Sequence, residues 1–242
     1  MFGFDTGKSH DLESTLLGPQ ICDGDEERPD QQQCPVQPGG YTSLEVVGTG
    51  ATSIVYSALR TDDGKQVALK QLKLELMSTE NVVADFLSEA RLLLGLRHPN
   101  LIRCYDFFFD CRAWWLVLEY LPGGAIHQAR ALSYVAGGEQ REDWMNQIAA
   151  AITFLHSRGI VHCDVKPANI LVDGPRAVLA DLGLACCVRQ PRHRENRICG
   201  TPEFMSEEAR RGIICPENDW FAFRQTSERI GVARIPAVMK FS

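Results

Sequence analysis

The stretch His162–Val172, HCDVKPANILV, decides how this chain folds. It sets a carboxylate, an ammonium and an amide on one short loop, directly before an apolar run with the texture of a strand. Asp164 is placed to orient or deprotonate a hydroxyl nucleophile, and Lys166 to steady a phosphate. Asn169 offers an oxygen to a metal. Farther on, ADLG puts Asp181 directly after a second apolar run, AVLA, a position suited to hold Mg2+ by a carboxylate. The odd member is Cys163, between the His and the Asp.

Outward toward the N-terminus the texture is strand-rich. LEVVGTGATSIVYSALR (44–60) and KQVALKQLKL (65–74) are rich in β-branched residues and are separated by TDDGK, a turn signal. In 79–96, Val82, Val83, Phe86, Leu87, Ala90, Leu93 and Leu94 form a helical stripe, with Thr79 as its expected N-cap. RHPN ends that helix, because proline disfavours helix in the residue before it. LIRCYDFFFD (101–110) and AWWLVLEYL (113–121) read as two further strands, and PGG at 122–124 breaks the pattern. Trp144, Ile148, Ile152 and Leu155 mark one face of a second helix. NILV and AVLA follow as short strands joined at DGPR. The order predicts an α+β architecture of two lobes with a cleft between them.

GTGATS (48–53) lies between two strands. That context argues against a dinucleotide fold and against a Walker loop, which also needs GK[ST]. Gly48 and Gly50 let backbone amides approach a phosphate, although a plain glycine-rich hairpin has the same look. Lys70, in VALK on the next strand, has apolar neighbours, and a buried amine needs an anion. Glu89 on the predicted helix is the candidate, with a solvated helix glutamate as the alternative.

Composition sets the frame. The chain has 242 residues, 45% hydrophobic and 23% charged, with a net charge of −6. The acidic balance argues against a general nucleic-acid binder. No apolar run approaches a membrane span, and no signal-peptide layout opens the chain, so a soluble, intracellular, cytoplasmic protein is expected. Nine cysteines at irregular spacing, without a CxxC pair, read as reduced thiols. Cys186, Cys187, His193 and Cys199 are a poor zinc set, since adjacent cysteines suit a tetrahedral site badly. Residues 1–40, acidic and rich in Gln and Pro, read as a leader without a fold.

The ordered set of glycine loop, VALK, helix Glu, HxDxKxxN, DLG and GTPEF resembles the eukaryotic-type protein kinases over about residues 44–223. The resemblance implies a β-rich N-lobe with one main helix (41–121) and a helical C-lobe (122–224) that is incomplete, followed by an unmatched tail (225–242). It implies ATP and Mg2+ as cofactors and a protein as substrate. Gly48, Thr49, Gly50 and Val55 would then cover the phosphates and adenine, with Ser53 in place of the loop's third glycine. Ala68 and Leu171 would sandwich the adenine, Leu118 would be the gatekeeper, and backbone groups of Glu119 and Leu121 would read its edge. Lys70 would contact the α- and β-phosphates and pair with Glu89. Asp164 resembles the catalytic base, and Asn169 and Asp181 the Mg2+ ligands. Leu182 stands where the family has Phe. Lys166 and Thr201 resemble the Ser/Thr branch, with Thr201 positioning the substrate.

The resemblance also gives Cys163 a meaning. Many kinases carry Arg there, which pairs with a phosphorylated residue of the activation segment. Cys163 does not replace that cation. The segment itself, DLGLACCVRQPRHRENRICGT, has no Ser, Thr or Tyr between Asp181 and Thr201. The two absences agree, and activation without phosphorylation of this segment is expected. Arg189, Arg192, Arg194 and Arg197 suit an acidic substrate or partner, or simply form a solvated loop. Arginines near Cys186 and Cys187 would favour their thiolates.

After GTPEF the match weakens. SEE (206–208) replaces the family's APE, and ENDWFAFR resembles the start of the lobe's central helix, where Asp219 would hold the catalytic loop. From Gln225 nothing matches. The expectation is an apolar C-lobe surface covered by the tail or by a partner. Three readings follow for function, namely an active kinase, an ATP-binding scaffold with little turnover, and a chain that does not fold stably.

Overall fold

The computed structural model describes residues 37–128, 138–188 and 198–232. Positions 1–36 of the expected 1–40 leader, the arginines and histidine of 189–197, and the tail from 233 lie outside them. The last residues of that leader are instead bonded to the fold, Gly39 N–H donating to Asp110 Oδ2 at 2.8 Å and Gly40 O accepting from Thr61 N at 3.0 Å.

Five strands form one antiparallel sheet. They are β1 (Tyr41–Thr49), β2 (Ser53–Arg60), β3 (Gln66–Leu72), β4 (Cys104–Asp110) and β5 (Ala113–Glu119), in the order β1-β2-β3-β5-β4. Successive side chains of a strand point to opposite faces. On one face Tyr56, Val67, Leu69, Ala113, Trp115 and Val117 make a small core, capped by Phe108 and Tyr41, whose rings stack at 5.7 Å. On the other face lie Leu72, Trp114 and Leu116, which belong to the larger core. Lys70 shares this second face by alternation, and it is the face that meets the helix α1 (Glu80–Gly95).

Helix α1 buries Phe86, Glu89, Ala90 and Leu93, the i, i+3, i+4, i+7 stripe expected of a half-buried helix. Thr79 is its N-cap residue, in extended backbone, but its side chain makes no capping bond. The predicted stripe holds and only the cap chemistry differs.

The chain crosses to the second lobe after Glu119. Val172 N–H donates to Gly124 O at 2.9 Å and Ile126 N–H to Ile170 O at 2.8 Å, so the link lies flat on the strand β7 (Ile170–Asp173). A Cβ at Gly123 would sit 2.4 Å from the Val172 carbonyl oxygen, which is why no side chain fits there. Helix α2 (Gly138–Ser157) buries Trp144, Met145, Ile148, Ala149, Ala151, Ile152 and Leu155. The short strands β6 (Ile160–Val161) and β9 (Cys186–Cys187) pair, as do β7 and β8 (Arg176–Leu179). A single turn α3 (Glu207–Arg210) and the helix α4 (Pro216–Arg229) complete the lobe. Pro216 opens α4, where its missing N–H costs nothing.

Helix α4 runs without a break past position 225. Its buried residues are Asn218, Asp219, Ala222, Phe223, Thr226 and Ser227. Thr226 Oγ1 donates to Val165 O at 3.4 Å, and Val232 is also buried, so the first part of the unmatched tail covers the lobe beneath the catalytic loop. Ile213 and Phe221, just before and within α4, remain exposed.

Candidate active site

The upper half of the site is built by strand register. Gly48 faces Val55, and Val55 faces Lys70, so the glycine turn projects from the sheet just past the level of Lys70. Gly50 N–H donates to Ser53 O at 2.8 Å and closes that turn. Thr49 ends β1 at its rim. Ala68 and Leu118 are cross-strand partners on the face of Lys70. Leu121 is buried in the link and Glu119 is half-buried. Leu171 lies on β7 opposite Ala125 and comes from the other lobe.

Lys70 Nζ lies 2.7 and 2.8 Å from the two oxygens of Glu89 and 2.9 Å from Asp181 Oδ1. An ammonium has three protons, and three carboxylate oxygens receive them. Both Lys70 and Glu89 are buried. Burial alone pulls the Lys70 pKa down, but Glu89 and then Asp181 outweigh it, and the ammonium is held above the usual lysine range. The positive charge of Lys70 in turn holds Asp181 below the usual carboxylate range against its own desolvation. The helix glutamate is therefore the buried partner and not a solvated one.

The lower half is a loop of side chains around Asp164. Its Oδ1 accepts from Thr201 N at 3.0 Å and from Thr201 Oγ1 at 2.7 Å. Its Oδ2 accepts from Asn169 Nδ2 at 3.0 Å and lies 2.7 Å from Lys166 Nζ. Lys166 also donates to Thr201 Oγ1 at 2.7 Å. The four residues that spacing and resemblance singled out thus form one closed network, and Thr201 joins it from the far end of the activation segment.

What holds this loop is Asp219 on α4. Its Oδ2 accepts His162 N at 2.8 Å and its Oδ1 accepts Cys163 N at 2.8 Å. His156 Nε2, from the end of α2, lies 2.8 Å from the same Oδ2. Asp219 is fully buried, so these donors replace its water. Cys163 and Asp181 both have φ in the left-handed region, at 68° and 62°, uncommon for residues with a side chain. A Cβ at Gly200 would sit 2.6 Å from the Cys163 carbonyl oxygen, so the segment before Thr201 crosses the catalytic loop at backbone contact. His162 completes the frame, with Nε2 3.1 Å from Ala180 O and Nδ1 accepting Asp164 N at 3.3 Å.

Sequence reasoning anticipated Asp219 and had His162 inside its loop motif, but it missed His156 and Arg176. Their partners lie far away in sequence, and no spacing rule reaches them. Among the described residues no cluster of three or more His, Cys, Asp or Glu is placed to hold a metal, and His193 of the weak zinc set lies outside them.

A glycine turn over a strand lysine, a lysine–glutamate–aspartate cluster, and a closed network around a loop aspartate are the parts from which protein kinases build their phosphoryl-transfer sites. The comparisons agree. Residues 41–223 match the protein kinase domain, and the chain belongs to that family. It is 31% identical to the Aurora kinase of Saccharomyces cerevisiae over 163 residues, 67% of this chain and 44% of that protein. It is 32% identical to CBL-interacting protein kinase 19 of Oryza sativa over 183 residues, 72% of this chain and 35% of that protein. Serine/threonine-protein kinase PLK4 of Xenopus laevis is 28% identical over 170 residues, 69% of this chain and 18% of that protein. The chain thus spans less than half the length of these curated relatives. Members of the family use ATP and Mg2+ and act on proteins. Among the described residues no helix is long and apolar enough to cross a membrane.

Proposed function

We propose that the chain is a protein serine/threonine kinase that transfers the γ-phosphoryl group of ATP to a Ser or Thr hydroxyl of a protein. One observation carries the reading. The Thr201 hydroxyl is held 2.7 Å from Asp164 Oδ1 and 2.7 Å from Lys166 Nζ. A substrate hydroxyl set in the same way gives its proton to the carboxylate, while the ammonium faces the oxygen and the phosphate it attacks. The new O–P bond then forms as the bond to the ADP oxygen breaks.

Lys70 supplies the fixed cation for the α- and β-phosphates, and Glu89 keeps it in place. Gly48, Thr49, Gly50 and Val55 enclose the phosphates, and Ala68, Leu118, Leu121 and Leu171, with the backbone of Glu119, receive the adenine. Mg2+, when bound, neutralises charge on the transferring phosphates. Asn169 and Asp181 would hold it, and the donor set fits. Asn169 Nδ2 is committed to Asp164, at 2.8 Å from its carbonyl and 3.0 Å from Oδ2, which leaves Oδ1 for a cation. The Asp181 side chain is 47% exposed toward the cleft. One carboxylate and one amide oxygen suit an ion that keeps waters and phosphate oxygens for the rest of its shell. Regulation by phosphate on 182–200 is not part of this reading, because that stretch has no acceptor hydroxyl.

The test is transfer of labelled phosphate from Mg·ATP to generic acidic and basic proteins, beside an Asp181→Ala variant. Transfer by the unmodified chain alone is expected. Equal transfer by both would sink the assignment.

A further inference from the structure

Arg176 is absent from the chemistry above, yet it joins three separate pieces of the chain. Its Nη1 donates to Glu119 Oε1 at 2.5 Å and its Nη2 to Glu119 Oε2 at 3.1 Å, a two-pronged match of guanidinium to carboxylate. Its Nε donates to the Pro99 carbonyl at 2.9 Å. The side chains are 36% and 20% exposed, better shielded than an ordinary surface pair. Glu119 is the last residue of β5, where the chain leaves the sheet for the inter-lobe link. Pro99 opens the turn after α1, the helix that carries Glu89.

That turn is already stitched to β8, where Arg176 sits. Leu179 N–H donates to Asn100 O at 2.8 Å, Ile102 N–H to Leu179 O at 2.9 Å, and Asn100 Nδ2 to Ala177 O at 2.8 Å. Glu119 N–H donates to Arg103 O at 2.9 Å, on the same turn. Backbone bonds thus fix the turn on the hairpin. The Glu119 carboxylate is what Arg176 adds, tying the start of the link to that fixed base. A link pinned in this way presents its backbone in one arrangement and loses less freedom when a ligand binds.

We propose that Arg176 is a positioning residue that sets the inter-lobe link, and through Glu119 and Leu121 the affinity for the nucleotide's base, without touching the nucleotide. This rests on the ATP-binding reading above. Lysine does not substitute for it, because one ammonium lacks the planar fork that meets two carboxylate oxygens and a carbonyl together.

The experiment uses the full 242-residue chain with Mg2+ and a fluorescent ATP analogue, followed by titration. Arg176→Ala and Glu119→Gln should each weaken binding about three- to tenfold. The double variant should be little worse than either single one, because both remove the same link. Arg176→Lys should recover only part. In turnover assays KM for ATP should rise in Arg176→Ala while KM for the protein substrate stays put, a split that general loss of stability would not produce. Amide exchange at Ile102 and Glu119 should quicken in Arg176→Ala. Affinity unchanged within twofold in both single variants, with Lys70→Met abolishing binding, would overturn the proposal. No binding by the unmodified chain would instead overturn the ATP reading, and the nucleotide role of Arg176 with it. Exchange would still report whether the clamp exists.

Discussion

The two halves of the site are held by different physics. In the upper half Lys70 is fixed by charge, surrounded by three carboxylate oxygens in a poorly solvated place. In the lower half Asp164 is placed by backbone, because Asp219 grips the amides of His162 and Cys163 just before it. A charge-held group can exchange partners, and Asp181, the more exposed of Lys70's acceptors, is the one placed to do so. A backbone-held loop has no such freedom. On the proposed reading, the geometry that would meet the nucleotide's phosphates is therefore adjustable, and the geometry that places the Asp164 carboxylate is rigid.

The comparison breaks most severely at Asp219. Asp219→Ala leaves the amides of His162 and Cys163 without their buried acceptor, and should cost roughly 3–5 kcal/mol in urea unfolding, with activity lost. A loss below about 1 kcal/mol would show that the loop is held by something else. Next is Asp164→Asn, which keeps the shape but removes the proton acceptor. It should lower kcat by about 10²–10⁴ while cooperative unfolding persists. A kcat within threefold of the unmodified chain would remove Asp164 from its role.

The upper half is sharpened by pH. Asp181 is held below its ordinary value of 3.8, so its contribution to stability is present above that value and is lost as pH falls through the lowered one. Lys70 is held above its ordinary 10.5, so its contribution is present below that value and is lost as pH rises through the raised one. The stability gap between the unmodified chain and Asp181→Asn should therefore be flat from about pH 5 to 9 and shrink below about pH 4. A gap that changes through neutral pH in urea titrations would contradict the pairing. The smallest effect is at Cys163. With no acceptor hydroxyl in 182–200, Cys163→Arg gains no phosphate to pair with, and phosphatase treatment should leave activity within about twofold. Activity abolished by loss of a phosphate from that segment would end the idea.

Legibility followed the range of the interactions. Lys70 and Glu89 were readable because strand alternation and a helical stripe each send them to a predictable face. Asp164, Lys166 and Asn169 were readable because one loop spaces them. Arg176 with Glu119 and His156 with Asp219 were not, since each pair is made by tertiary register that no local period encodes. The left-handed backbone at Cys163 and Asp181 was also hidden, because neither is glycine, the residue that usually marks such a position. Helix α4 outran the resemblance for a related reason. Thr226 and Ser227 are buried but carry no apolar signal to extend the pattern.

Asp219 also sets where the sequence tolerates insertion. Its carboxylate reaches the catalytic loop only at one rotation of α4, and a residue added between Pro216 and Asp219 would turn it by about 100°. The same residue added at Arg211–Gly212, before the helix begins, leaves that rotation untouched. Between α3 and Asp219, added length should be tolerated in the turn ahead of α4 and not within its first turn, so the helix start acts as a fixed ruler.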